Sequence, residues 1–165
     1  MTPTLTQAMV RKLFDYDPVK GLLINKTNRG AKALKGSICG NKDTNGYLRT
    51  CIKGSIYFCH RIAFVHYHGY LPKYIDHING VTTDNRIENL RECTLTQNQY
   101  NSKANSSNTS GFKGVQWVKR DKRWLATIKI NKKRTHLGLF KDLKDAVEKV
   151  SSARKEHHGE FANHG

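Results

Sequence analysis

The chain is expected to be α+β, built as two small domains, and three observations carry that expectation. Short runs alternating polar and apolar residues flank tight-turn dipeptides, other segments carry apolar residues at helical spacing, and a polar stretch divides the chain. The expected division is one domain over 1–100, a linker over 101–110 and a sheet-plus-helix domain over 111–165.

Thr4 to Asp15 reads as a short amphipathic helix. Leu5, Met9, Leu13, Val10 and Phe14 share a face, and Thr4 or Thr6 is available as the cap. Asp17-Pro18-Val19-Lys20-Gly21 reads as a turn between short strands, Pro fixing φ and Gly allowing a positive one. Residues 46–53 and 55–60 alternate around Lys53-Gly54, a hairpin signal. His60 to His68 reads as a helix closed by Gly69 and followed by Pro72. Residues 101–110 hold eight Asn, Ser or Thr, too little apolar surface to fix the segment, hence the linker. Three strand-like runs follow (112–119, 124–130, 134–140), then a helix from about 142 to 157. Its stripe is Leu143, Ala146, Val147, Val150 and Ala153, with Asp142 to cap its start and Gly159 its end. Trp124 and Phe140 belong in the core beneath that stripe.

Composition narrows the partner. A formal net charge of +16 favours a polyanion, either nucleic acid or an anionic surface. Residues 1–110 and 111–165 each hold half of the excess, so it is not one basic tail. No run approaches a membrane span, and the first residues lack the apolar core of a signal peptide, so a cytoplasmic location is expected. Cys39, Cys51, Cys59 and Cys93 form no Cys-x-x-Cys pair, so zinc knuckles are excluded; they read as free and mostly buried.

The residues with the richest chemistry lie between Ile75 and Asn98. Hydrolysis of a phosphodiester needs an activated water, neutralisation of charge on the phosphorane and help for the departing oxygen. An imidazole near neutral pKa can supply the first, and a hard cation held by oxygen ligands the other two. Asp76 and His77 are adjacent, however, and on an extended strand adjacent side chains point to opposite sides. Thr94-x-x-Gln97 or Thr96-x-x-Gln99 resembles a capping box that would put Asn98 in the first turn of a helix. Asp-His and Asn-Gly are also ordinary turn chemistry, so the residues alone leave catalysis and structure both open.

Three separated blocks carry a resemblance. Asp76-His77-Ile78-Asn79-Gly80, then Asp84-Asn85-Arg86-x-x-Asn89-Leu90-Arg91, then Gln97-Asn98 resemble the HNH motif of phage and intron-encoded endonucleases. His60-Arg61-Ile62-Ala63-Phe64 and the Tyr16-Asp17-Pro18-x-x-Gly21 hairpin recur in the same proteins, so the resemblance spans roughly 12–101. It implies a ββα-metal finger around one divalent ion, Mg²⁺ or Mn²⁺, whose open hairpin loop lets Asp76 and His77 flank one phosphate. It makes His77 the general base, Asp76 the charged metal ligand, Asn98 the neutral one, and Asn89 a brace across the loop that orients His77. Asn98 stands where many relatives have His. His60 is expected to make a structural hydrogen bond, and Arg86 and Arg91 to form salt bridges or touch phosphate.

A second resemblance covers 110–162. Gly111-Phe112-Lys113-Gly114-Val115, Trp124-x-Ala126-x-Ile128, Leu137-Gly138-x-Phe140 and Gly159-x-Phe161-Ala162 are similar to the plant ethylene-response-factor DNA-binding domain. That likeness implies a three-stranded sheet lying in the major groove. Its DNA-facing positions would be Lys113, Gln116, Val118, Arg120, Thr127, Lys129, Arg134 and His136. Gln116 and Val118 replace arginines of the plant relatives, so a guanine-rich preference does not carry over.

The expected partner is double-stranded DNA, with no membrane and no obligatory protein partner, the chain acting as a monomer or weak dimer. In a phage-encoded nuclease, whether homing or DNA-processing, the location would be the host cytoplasm. The competing reading is a non-catalytic DNA-binding regulator with a vestigial finger. The presence together of Asp76, His77, Asn89 and Asn98 argues against such decay.

Overall fold

The computed structural model describes residues 5–102, 104–105 and 107–164, whose contacts fall into two compact units, Met1–Cys93 and Thr94–Gly165. In the first, helix α1 (Gln7–Leu13) starts on Thr6, whose hydroxyl accepts from the Met9 N–H at 3.3 Å. Thr4, the other expected cap, lies outside the described residues. The helix stops at Leu13, short of the expected Asp15, because Phe14 is extended and opens strand β1 (Phe14–Asp17).

β1 pairs antiparallel with β2 (Leu22–Asn25), and in the turn between them the Asp17 carboxylate accepts from the N–H groups of Val19 and Lys20, both at 3.0 Å. Gly21 has φ +69°, and a Cβ there would lie 2.4 Å from the Arg86 nitrogen, so no other residue fits without moving that backbone. Strands β3 (Asn41–Lys42), β4 (Leu48–Ile52) and β5 (Ser55–Phe58) form an antiparallel sheet. Lys53 and Gly54, at φ 49° and 81°, make its expected tight turn.

Helix α2 (Cys59–His68) begins where that hairpin ends and closes on Gly69 in the left-handed conformation, as expected. It organises the unit because it is apolar on two sides. Ile62 and Val65 join Val10, Phe14, Leu23 and Ile52 in one core cluster, and Ala63 and Phe64 join Ile75 and Leu90 in another. Each large side chain so buried contributes about 1.5–3 kcal/mol. The second cluster carries β6 (Tyr74–His77) and β7 (Leu90–Cys93), paired with Asp76 opposite Arg91 and His77 opposite Leu90. The cysteines are free; Cys39, Cys59 and Cys93 are buried and Cys51 is exposed.

In the second unit, helix α3 (Leu95–Tyr100) opens on a full capping box between Thr94 and Gln97. Strands β8 (Val115–Val118), β9 (Arg123–Ile130) and β10 (Lys133–Phe140) form an antiparallel sheet with β9 central. Helix α4 (Leu143–His158) buries Ala146, Val150 and Ala153 of the expected stripe; Val115 and Ala126 from the sheet share their core, and Trp124 and Phe140 pack against it. Asp142 stands at the cap position without a side-chain bond to the helix, and Gly159 ends it. The polar stretch does not begin as a loose linker. Asn101 is 7 % exposed and accepts from Asn163 Nδ2 through its carbonyl at 2.7 Å, while Tyr100 stacks on His158 with centroids 3.6 Å apart.

Candidate active site

His77 is the last residue of β6, and its chain turns at once, the Gly80 N–H bonding back to the His77 carbonyl at 2.9 Å. The excursion from Ile78 to Asn89 is held by its own polar side chains. Asn89, 5 % exposed, accepts from the Asn79 N–H at 2.9 Å and donates to the Asp84 carbonyl at 2.8 Å, so one amide ties both limbs of the loop. Asn79 Nδ2 donates to Asp84 Oδ2 at 2.7 Å, and the Arg86 guanidinium beside Asp84 holds its carboxyl down at about 2. The loop also rests on the two hairpins. Tyr16 Oη donates to the Asn85 carbonyl at 2.7 Å, the Ile87 N–H to the Pro18 carbonyl at 3.0 Å, and the Thr82 hydroxyl to the Gly46 carbonyl at 3.0 Å.

Asp76 and His77 are both 5 % exposed. Arg91, across the ladder, donates to Asp76 Oδ2 through Nε at 2.9 Å and Nη2 at 2.8 Å. His77 Nε2 meets Asn85 Oδ1 at 3.1 Å, a bond that requires the proton on Nε2 and leaves the lone pair of the neutral ring on Nδ1. Burial pushes the His77 imidazole down; the Asn85 bond and the charges of Asp76 and Asp84 pull it back up. The sequence points to Asn89 as the partner that orients His77, but the amide that meets the ring is that of Asn85, with Asn89 bracing the loop. Neither Asn85 nor the pairing of Asp76 with Arg91 is among the sequence expectations. Register alone would have given the second, since Asp76 and Arg91 are direct cross-strand partners.

His60, expected to make a structural hydrogen bond, has a buried Nδ1 with no hydrogen-bond partner among the described residues. Its ring lies 5.1 Å from that of His77 and 5.6 Å from Tyr47, and burial drives its pKa down to about 3. Below pH 6.5 the unfolded chain takes a proton that His60 refuses until about pH 3, so its effect is to lower stability as pH falls through that window. His60→Phe is therefore expected to lose less stability than the parent between pH 7 and 4.5, by up to about 3 kcal/mol in urea melts. Equal losses would show that His60 is not held neutral.

Among the described residues no three His, Cys, Asp or Glu side chains cluster as a metal site. The oxygen donors expected from the sequence, one carboxylate and one amide, suit a hard ion completed by phosphate oxygens and water. Asp76 shares its carboxylate with Arg91. Asp76, His77 and Asn89 come together in the first unit, whereas Asn98 belongs to α3 of the second, where its N–H bonds to the Thr94 carbonyl at 3.0 Å.

In the second unit, register puts Gln116 opposite Leu125, Lys129 opposite Arg134, and His136 opposite Thr127. Opposed residues and alternate residues along a strand share a face, so Gln116, Lys129, Arg134 and His136 form one exposed polar surface. Val118 is half-buried, and Arg120 lies in the β8–β9 turn, paired with Asp121 at 2.7 Å. Lys113 and Thr127 depart from the expected DNA-facing set. The Lys113 ammonium donates to the carbonyls of Tyr100 and Ser102, and burial lowers its pKa to about 8. Thr127 is 7 % exposed and bonds to the Gly114 carbonyl. Backbone carbonyls thus occupy both side chains.

Residues 57–100 match the HNH endonuclease family. The chain is also 38 % identical over 96 residues to Protein 3.8 of Escherichia phage T7, an alignment that takes in 57 % of this chain and 78 % of that protein. The chain therefore belongs to one family with Protein 3.8 and carries an HNH endonuclease-family domain. No solved structure is similar to it. No helix among the described residues is long and apolar enough to cross a membrane.

Proposed function

We propose that the chain is a metal-dependent DNA endonuclease that hydrolyses phosphodiester bonds, its second unit helping to select the DNA. The observation that carries this reading is the closed loop that presents His77 beside Asp76 within the segment matching the HNH endonuclease family. His77 accepts the proton of the attacking water at Nδ1, while Asn85 keeps the other nitrogen protonated. Asp76 would supply the charged ligand to one Mg²⁺ or Mn²⁺, Asn98 is the neutral ligand that the motif implies, and the ion would supply charge to offset that on the phosphorane and the departing 3′ oxygen. Asn89 fixes the loop rather than touching the substrate. Since one loop of this kind meets one strand, a single chain nicks.

The test is incubation of the purified protein with a genomic DNA library and Mg²⁺ or Mn²⁺, with sequencing of new ends. Recurrent nicks that vanish with chelator are expected; intact DNA under both metals overturns the reading. For the sheet surface, Lys129→Gln with Arg134→Gln is expected to make the log–log salt dependence of DNA affinity shallower by about 1–2, roughly 0.9 for each phosphate that is no longer neutralised. An unchanged slope would mean that this face does not meet the backbone.

A further inference from the structure

A groove of about 530 Å³ opens beside α2 in the first unit, lined by Tyr47, Phe58, His60, Arg61, Lys73 and Tyr74 among others. Its size falls within the range of small-molecule sites, roughly 300–1,000 Å³. The lining among the described residues is aromatic and aliphatic, with two cations and no carboxylate. Aromatic faces beside cations fit a nucleotide: every base offers a π-face to stack, and its phosphates offer charge to pair.

The platform is preformed. Phe58 keeps 38 % of its surface open, yet its ring is held by Tyr47 in an edge contact at 5.5 Å and by His60 in a parallel one at 5.5 Å. Arg61 is half-buried, and its bonds among the described residues are of 3.3 Å to the carbonyls of Pro72 and Lys73, neutral acceptors that a phosphate can replace. Lys73 is exposed and lies 5.7 Å from the Tyr74 ring. The groove adjoins the His77 imidazole, because Tyr47 and His60 of its lining also pack on that ring at 5.9 and 5.1 Å.

We propose that this groove takes a nucleobase of the strand being cut, one step from the phosphate that meets His77. The base stacks on Phe58, and its flanking phosphates pair with Arg61 and Lys73. The identity of the strand rests on the nuclease reading above; the groove itself does not. A base inside a duplex must leave its stack to enter, which is least costly where it is mismatched or already unpaired. Cleavage should therefore favour sites with an unpaired base beside the cut.

The test uses the full chain without divalent metal and a short single-stranded oligonucleotide carrying 2-aminopurine. The parent is expected to quench the probe by stacking. Phe58→Ala should lose the quench and bind about 5- to 150-fold more weakly, the fold-change of removing one base–aromatic stack. Phe58→Trp should restore both, and Phe58→Leu, which keeps apolar bulk without a π-face, should behave as the alanine variant does. Lys73→Gln should weaken binding and its salt dependence while leaving the quench at saturation. Parental quench and affinity in Phe58→Ala and Phe58→Leu overturn the proposal. Cutting by the parent with Mg²⁺ or Mn²⁺ separates the two readings: Phe58-dependent quenching by a parent that never cuts DNA removes the nuclease and keeps the groove. Cutting with no Phe58-dependent quench, and no gain at mismatched sites, removes the groove and keeps the nuclease.

Discussion

His77→Ala is expected to slow DNA strand cleavage by about 10²- to 10⁴-fold, the usual contribution of a positioned general base, while leaving DNA affinity nearly unchanged. Affinity is spared because the ring is 5 % exposed and neutral near pH 7, so the variant removes little charge and little surface that DNA could touch. The same variant should also lose the acid limb of the pH–rate profile. Burial pulls the His77 pKa below its ordinary value, so in the parent that limb should lie below pH 6.5 and the base should be fully available above it. Single-turnover nicking across pH, with anisotropy titrations of the same preparations, measures both. A variant that cuts at the parental rate with the same acid limb would mean that another group takes the proton.

The candidate site is legible in the sequence because its blocks are local: Asp76, His77 and Asn89 lie within one short excursion of the chain. What the sequence hides depends on pairing between strands and on how a loop folds over itself. Arg91 reaches Asp76 through the register of β6 and β7, and Asn85 reaches His77 only once Asn89, Asp84 and Tyr16 have closed the loop. His60 and Tyr47 adjoin His77 through packing of α2 and the β4–β5 hairpin, which no spacing encodes.

Turns are legible where one residue type answers a backbone need, as at Gly21, Lys53-Gly54 and Gly69. The end of α1 is less so. Phe14 continues the apolar stripe one turn after Val10, so periodicity cannot tell that it is buried from a strand. The polar stretch misleads for a different reason. Counting apolar surface says nothing of amide pairs, and Asn101 is fixed by Asn163 and by the neighbouring stack of Tyr100 on His158. That same anchoring brings Tyr100 and Ser102 to the Lys113 ammonium, which the family resemblance alone would assign to DNA.

Arg91→Ala should have the largest effect on folding. It leaves Asp76, 5 % exposed, without its guanidinium, and removing one partner of a buried ion pair costs about 3–5 kcal/mol. For a unit of this size each kcal/mol moves the melting midpoint by about 4–8 °C, so a fall of at least roughly 12 °C is expected in the first transition. Adding Asp76→Asn to Arg91→Ala should recover much of the loss, because the desolvated charge goes with its partner. Mg²⁺ makes the reading specific to the site. If Asp76 is the carboxylate that meets the ion, Mg²⁺ should raise the midpoint of Arg91→Ala more than that of the parent, since the cation replaces the missing guanidinium. It should do nothing for the double variant. Equal Mg²⁺ shifts in all three proteins would show that the ion binds elsewhere.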